Sequence, residues 1–369
     1  MLKLSAVTSG SFLEREAKSL PKDLAPRPAL EVNPGDVLVS RANGVKALVG
    51  VVCSVNQVRR RLMVPDLVFR LVPDTEVLDP GFLAIALAST AARKQIDQVM
   101  RGSSGQYKIS QADVRILRVP RMPLDEQRRI VAAHAALERR IQALGGVRVK
   151  LEMARKAAVS RAITAAWAHE LMPLKGMLQR VETGWSPVCA PRPPAADEWG
   201  VLKLSAVTSG RFREDEAKAL LPEVGPRPSL EVKPGDVLMS RANGVKSLVG
   251  VTCTVTRTRE MLLIPDLVFR LVANSQRMDP EFLGILLASN EVRQQIDDAM
   301  RGSSGQYKIS QADVRELLVP SVGLSEQRQA VATRAAFEHR IAAVDKQIAK
   351  LHIIQKAVVE DLLSAHSKA

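Results

Sequence analysis

Aromatic residues are scarce: 3% of 369 positions, with three Trp, two Tyr and seven Phe. That excludes a large aromatic core, a sugar-stacking site, and nucleic-acid binding that rests mainly on base stacking. Three cysteines are too few for a disulfide framework and point to a reducing compartment. No apolar run is long enough to span a bilayer. The N-terminal stretch MLKLSAVTSGSFLEREAKSL lacks the continuous apolar core of a signal peptide. A cytoplasmic location is therefore expected. Histidine is equally sparse: His134, His169, His339, His352 and His366 all fall in helical-looking segments and read as solvated helix-surface residues. Their placement excludes a His-based zinc site, or a Ser–His or Cys–His nucleophile, in the remaining parts. Cys53 and Cys253 sit in strand-like runs and read as small buried hydrophobes, while Cys189 stands alone. There is no P-loop, no glycine fingerprint after a strand and no paired-Cys spacing. An Asn/Asp-Pro-Pro-aromatic segment, used to hold a target base in amino-methyltransferases, is also missing. The chain is expected to perform no chemistry itself and to hold no catalytic residue, metal or cofactor.

What is present is positive charge. Fifty-three Lys and Arg against 39 Asp and Glu give a net charge of +14 and a pI near 10.0. The surplus calls for a polyanionic partner, nucleic acid before membrane. Hydrophobic residues at 46% and charged residues at 25% are ordinary globular values.

A repeat organises the chain. LKLSAVTSG starts at Leu2 and Leu202, PGDVL at Pro34 and Pro234, and SRANGVK at Ser40 and Ser240. PDLVFRLV starts at Pro65 and Pro265, and MRGSSGQYKISQADVR at Met100 and Met300. Every pair is 200 residues apart without a gap, and about two-thirds of residues 1–120 recur in 201–320. This period is too long for a solenoid and marks a duplicated domain.

Within each copy, short β-branched runs broken by Pro and Gly (VLVSRA, ALVGVVCSV, LMVPDLVFRLV) read as strands with turns. A helical stretch, FLAIALASTAARKQIDQVM, and a Gly/Ser loop follow, so the domain reads as α+β. Each copy then enters an Ala-, Arg- and Glu-rich segment without proline. Phe337, Ile341, Val344, Ile348, Leu351, Val358 and Leu362 recur at alternating spacings of three and four, interrupted by Gln355. That is a coiled-coil seam. Leu137, Ile141, Leu144 and Leu151 repeat it in the first copy, where Gly145-Gly146 weakens the helix. Neither helix buries its stripe alone, so the two are expected to pack on each other. The boundaries fall at 1–122, 123–171, 172–321 and 322–369.

The 29 residues Met172–Gly200 have no counterpart before Met1, which stands where the second copy has Val201. GTG encodes Val internally and can initiate as Met. The expectation is a natural start further upstream, with the first domain truncated at its N-terminus.

Charge is uneven. Residues 1–120 carry 17 basic and 11 acidic side chains, residues 201–320 carry 16 and 15. Charge alone gives non-specific phosphate affinity. Reading sequence needs side chains at base edges, Arg for guanine and Asn or Gln for adenine. SRANGVK offers Arg41, Asn43 and Lys46, repeated as Arg241, Asn243 and Lys246. RGSSGQYK offers Arg101, Ser103, Ser104, Gln106, Tyr107 and Lys108, repeated as Arg301, Ser303, Ser304, Gln306, Tyr307 and Lys308. Its glycines let backbone N–H groups approach a phosphate. Asn-Gly also serves as a plain hairpin turn, and Arg41 has Asp36 as a domestic alternative. Lys3 and Ser5, with Lys203 and Ser205, are weaker DNA-contact candidates. Arg59, Arg60 and Arg61 read as a solvated face, since the second copy has Arg259, Glu260 and Met261 there.

These strings resemble the DNA-specificity subunit of Type I restriction–modification systems. The resemblance rests on KLSAVTSG with a following Phe, PGDVLxSRANG with LVG downstream, GSSGQYKIS, and LxEQRRIV or LSEQRQAV opening each helix, in order and twice. It implies two target-recognition domains, each reading half of a bipartite DNA site. It implies that the helices form an antiparallel coiled coil that rules the spacer and docks two methyltransferase subunits. Those partners would use S-adenosylmethionine to methylate adenine, and an ATP- and Mg-dependent restriction subunit could join them. Near-identical readout segments, related by a pseudo-two-fold axis, predict a nearly palindromic target. The alternative is an orphan or truncated subunit acting as a stand-alone DNA-binding or regulatory protein.

Overall fold

The computed structural model describes every residue except Lys22, Leu24, Ser104, Ser303, Ser304 and residues 366–369, and for Ser364 and Ala365 the backbone alone. Predicted His366 thus lies outside the described residues. The first copy runs β1 (Val37–Ser40), β2 (Ala42–Asn43), β3 (Val52–Ser54), β4 (Val68–Leu71), α1 (Pro80–Ala88), α2 (Thr90–Val99), β5 (Tyr107–Lys108), α3 (Gln111–Arg115) and the long α4 (Leu124–Ala166). The second begins with β6 (Leu171–Pro173), β7 (Leu178–Thr183), β8 (Gly200–Leu202) and β9 (Ala217–Ala219). It continues with β10 (Val237–Ser240), β11 (Ala242–Asn243), β12 (Thr252–Thr254), β13 (Leu262–Leu263) and β14 (Val268–Ala273). It ends with α5 (Pro280–Leu287), α6 (Asn290–Ala299), β15 (Tyr307–Lys308), α7 (Gln311–Glu316), β16 (Leu318–Pro320) and α8 (Leu324–Ala365). Two compact units result: Met1–Arg148 with Ala343–Ala369, and Val149–Ala342.

In the first unit an antiparallel sheet has the order β3-β1-β4. All four residues of β1 are buried because the strand is sandwiched between two cores. Side chains alternate across a strand. Val37 and Val39 therefore join the cluster with Leu83 and Leu87 of α1, while Leu38 joins Leu2, Val7, Cys53 and Val68 on the other face. In the second unit Val237 and Met239 pack with Phe282 and Leu283, and Leu238 with Leu202, Val207 and Cys253. The second sheet carries one more strand, in the order β12-β10-β14-β7.

The predicted single helical stretch is two helices. Ser89 interrupts it with φ −67° and ψ 160°, and its side chain accepts from Ala92 N, so it caps α2 instead of continuing α1. Asp79 and Pro80 start α1 by the same logic, with the Asp79 carboxylate accepting from Gly81 N and Phe82 N. Ser289 and Asp279 repeat both devices.

The two long helices pack together within each unit. In the first, Ile130 on α4 shares a cluster with Leu363 on α8, Gln355 Nε2 donates to Glu138 Oε2 at 3.1 Å, and Arg148 meets Asp345 at 2.7 Å. In the second, Ile163 and Ala166 pack with Ala330 and Val331, Arg155 lies 4.0 Å from Glu338, and His169 is 3.3 Å from Glu326. As α4 numbers rise, α8 numbers fall, so the helices run antiparallel. Every predicted seam residue on α8 is buried or half-buried. Gln355, the polar interruption, is half-buried as well and is satisfied by Glu138. α4 runs unbroken through Gly145-Gly146. His134 departs from a solvated surface reading: it is half-buried, and burial lowers its pKa.

Candidate nucleic-acid interface

The two glycine-bearing segments singled out from the sequence meet. β2 pairs antiparallel with β5, Ala42 opposite Lys108 and Asn43 opposite Tyr107. The second unit repeats this with β11 and β15, Ala242 opposite Lys308 and Asn243 opposite Tyr307. Local chemistry forces the meeting. Ser40, at the end of β1, donates its hydroxyl to Leu48 O and accepts from Val51 N at 3.0 Å, which pins both ends of the 41–50 loop. Asn43 Oδ1 accepts from Val45 N at 2.9 Å, an Asx turn. Among the described residues its NH2 group has no acceptor.

The opposing loop is closed by Arg101 and Lys108, which exchange backbone hydrogen bonds of 3.0 and 2.9 Å. Gly102 has φ +120°, and a Cβ there would sit 2.0 Å from Gln106 O, so only glycine fits. A Cβ on Gly44 would lie 3.3 Å from Gly105 O, which measures how closely the loops approach. Arg101 reaches Asp113 at 3.3 Å, and Asp113 forms a capping box with Ser110 at the start of α3. The Ser110 hydroxyl, the Ser110 backbone N–H and Arg101 hold the Asp113 carboxyl below its ordinary pKa, against a counteracting desolvation.

The resulting surface presents exposed Lys46, Arg101, Ser103, Gln106 and Lys108 beside half-buried Asn43. Arg41 borders it, its guanidinium 5.5 Å over the Phe69 ring and NH1 3.3 Å from Asp66 O. Arg241 holds the same position 5.5 Å over Phe269. The alternative pairing of Arg41 with Asp36 is not formed, because Asp36 accepts from Asn33 N at 2.7 Å and faces Arg70 at 3.8 Å. Tyr107 is half-buried against the core of Val37 and Val39 and supports the platform from beneath. Lys246, Arg301, Gln306 and Lys308 are exposed, and Tyr307 packs on its own core. Ser104, Ser303 and Ser304 lie outside the described residues.

Lys3 and Ser5 are not brought to this platform. Ser5 donates to Glu16 at 2.8 Å and Lys3 lies 3.7 Å from the same carboxylate, whose pKa they lower, the Ser5 bond first. Ser205 and Lys203 hold Glu216 at 2.7 and 3.5 Å. The Cys53 and Cys253 thiols are pushed up to about 12 by burial, as expected of core residues.

Two features escaped the sequence reading. Gln127, in the helix-opening motif, is a clamp: its Oε1 accepts from Asp79 N at 2.8 Å and its Nε2 donates to Val77 O and Met122 O at 3.0 and 2.9 Å. Gln327 makes the same three bonds in the second unit. Phe69 and Phe269 are the seats of Arg41 and Arg241. Recurrence at 200 residues was their only signal. Among the described residues there is no His, Cys, Asp and Glu cluster that could hold a metal, and no helix long and apolar enough to cross a membrane.

The architecture thus defines a class: a duplicated α+β domain, each copy presenting a polar two-stranded platform and continuing into a long helix that packs on its counterpart. Comparison with known proteins gives that class a name. No family model matches the chain. The Type I restriction enzyme EcoEI specificity subunit of Escherichia coli is 38% identical over 141 residues, which are 38% of this chain and 24% of that protein. The EcoKI specificity subunit of Escherichia coli K12 is 22% identical over 360 residues, 90% of this chain and 73% of that one. The crystal structure of the HsdS subunit from Thermoanaerobacter tengcongensis covers 98% of this chain and 88% of its own, with TM-score 0.51 and 19% identity. A solved type I R-M system structure covers 90% and 82%, with TM-score 0.55 and 20% identity. The resemblance read from the motifs therefore stands: the curated relatives are Type I specificity subunits, and the fold is that of HsdS.

Proposed function

We propose that the chain is the non-catalytic DNA-specificity subunit of a Type I restriction–modification complex that methylates adenine. The observation that carries this is the platform of β2 and β5, built twice from the same SRANG and GSSGQYK strings, once in each unit. The recognition domains correspond to residues 1–122 and 172–321, the spacer helices to 123–171 and 322–369. Asn43 and Gln106 supply amides for adenine edges and Arg41 a guanidinium for guanine, with Asn243, Gln306 and Arg241 in the second domain. Lys46, Lys108 and the glycine-loop N–H groups take phosphates, which position the domain without reading sequence. The antiparallel helices support a ruler for a bipartite site and a docking surface for two methyltransferase subunits. Methyl transfer from S-adenosylmethionine, and any ATP- and Mg-dependent cleavage, belong to the partners. Identical platform residues predict a nearly palindromic site.

The test is modification-sensitive long-read sequencing of DNA from cells expressing this chain with its methyltransferase subunit. The expected outcome is methyladenine in two related half-sites separated by a fixed spacer. Two unrelated half-sites would overturn the palindrome. Deleting four or seven residues from both helices should shorten the spacer and leave the half-sites intact. DNA binding without methylation would make the chain a stand-alone DNA-binding protein.

A further inference from the structure

The two loops of the platform are polar except at one position. Among the described residues of 41–48 and 101–108, Val45 is the one large apolar side chain left exposed, at 55%, beside exposed Lys46, Arg101, Gln106 and Lys108. Val245 repeats it at 53%, beside Lys246, Arg301, Gln306 and Lys308. Neither valine packs into a hydrophobic core among the described residues. The backbone does not ask for valine either. Val45 precedes the single 3-10 turn Lys46–Leu48 with φ −105° and ψ 118°, ordinary extended values, and its side chain caps nothing there. A residue with a side-chain oxygen would suit that place better, and leaving an apolar side chain in water gains nothing for the fold. Its position is nevertheless fixed. Val45 N donates to Asn43 Oδ1 at 2.9 Å, and Val45 O accepts from Leu48 N at 3.0 Å. Val245 makes the same two bonds, at 2.9 and 3.0 Å. Branching at Cβ also restricts χ1. A Cβ on Gly44 or Gly244 would lie 3.3 or 3.4 Å from Gly105 O or Gly305 O, so each valine borders the turn that carries Gln106 or Gln306. Each unit thus presents a stiff apolar knob on an otherwise polar surface.

We propose that Val45 and Val245 are specificity residues, each taking the C5-methyl group of a thymine in the DNA major groove. This inference rests on the DNA reading proposed above. Of the four bases only thymine projects an apolar group at the major-groove edge; the other groups read there are hydrogen-bond donors and acceptors. A stiff apolar side chain therefore selects thymine. Contact removes the valine methyls and the thymine methyl from water together. The held backbone and restricted χ1 keep the cost of ordering the side chain low. The neighbouring Gln106 and Gln306 amides fit an adenine edge, so valine and glutamine both ask for A·T pairs. One thymine in each half-site is read this way, by Val45 in one and by Val245 in the other.

The experiment uses the full chain with its methyltransferase subunit and the duplex that methylation sequencing identifies. Each half-site thymine is replaced in turn by deoxyuridine, which keeps the base pairing and O4 and removes only the methyl group. One replacement per half-site is expected to weaken binding roughly three- to fivefold, the effect of one buried methyl group, and the others to leave it unchanged. Val45→Ala should remove that sensitivity in one half-site and Val245→Ala in the other, so that thymine and deoxyuridine bind alike there. Val45→Ile and Val245→Ile should keep it. A valine with a merely structural role would weaken both duplexes equally and leave their ratio intact. In a complex that prefers its target over a shuffled duplex, indifference to every deoxyuridine, or a ratio unchanged by Val45→Ala and Val245→Ala, would overturn this inference and leave the DNA reading standing. No identified target, or no preference for it over a shuffled duplex, would overturn the DNA reading and this inference with it.

Discussion

The strands Val68–Leu71 and Val268–Leu271 are identical in sequence, yet Phe269 and Leu271 are 1% and 0% exposed while Phe69 and Leu71 are only half-buried. Both strands pair with the same β1-type neighbour in the same register. The difference comes from Leu178–Thr183, which lie some 90 residues away in the chain. Identical local sequence sets the strand and its inner partner, and a distant segment decides whether the outer face is core or surface. Burial is thus a property of the neighbour and not of the residue.

Four measurements sharpen or break this contrast. The largest effect is expected from the central arginines. Arg270→Ala strands two partly buried carboxylates and should cost about 3–5 kcal/mol. Arg70→Ala, at a half-open edge, should cost about 1 kcal/mol. Chemical denaturation reads both, and equal losses would erase the distinction. Next is Gly184→Ala. A Cβ there would lie 2.2 Å from both Ile264 O and Pro265 O, so the segment must shift, at about 2–3 kcal/mol. This penalty belongs to the second unit alone, and exchange should accelerate at 268–272 but not at 68–72.

The clamps test the opposite, shared side of the comparison. Gln127→Ala and Gln327→Ala remove the same three hydrogen bonds and should each cost about 1–3 kcal/mol, with the two values matching within about 0.5 kcal/mol. A clear inequality would show that the difference between the two sheets extends as far as the helix junctions. The smallest effect is chemical. With thiols pushed up to about 12, Cys53 and Cys253 should resist iodoacetamide at pH 8, while half-buried Cys189 reacts first. The raised pKa also has a sign: stability from these thiols is full below the unfolded value of 9.0 and is lost as pH rises toward about 12. Mass spectrometry of alkylated peptides decides the first point, and melting temperature against pH the second.

Much of this was legible in the sequence because its signals were periodic. The 200-residue repeat announced two domains, and the three-four spacing on α8 placed the seam that burial now shows. The β2–β5 platform was half legible: both strings stood out for their glycines and polar groups, but their pairing joins residues 43 and 107 and has no local signal. The hold of Glu16 on Lys3 and Ser5 had no local signal, because it lies eleven residues beyond Ser5 across a turn. Arg41 showed its guanidinium but not its seat on Phe69. Gln127 hid in a helix-opening motif because its acceptors and donors lie up to 50 residues upstream. Ser89 split a helix that hydrophobicity alone had joined.

One consequence of the platform concerns time rather than geometry. Asn43 and Tyr107 close a loop of more than sixty residues, which holds β3, β4, α1 and α2. Loops of that size close late, after the local helices and hairpins have formed. A growing chain that has left the ribosome only as far as α2 has Asn43 but no partner for it. Each copy thus gains its platform only after the elements inside that loop have formed. A unit that misfolds presents no half-formed platform, so completing the fold and forming the platform are one event.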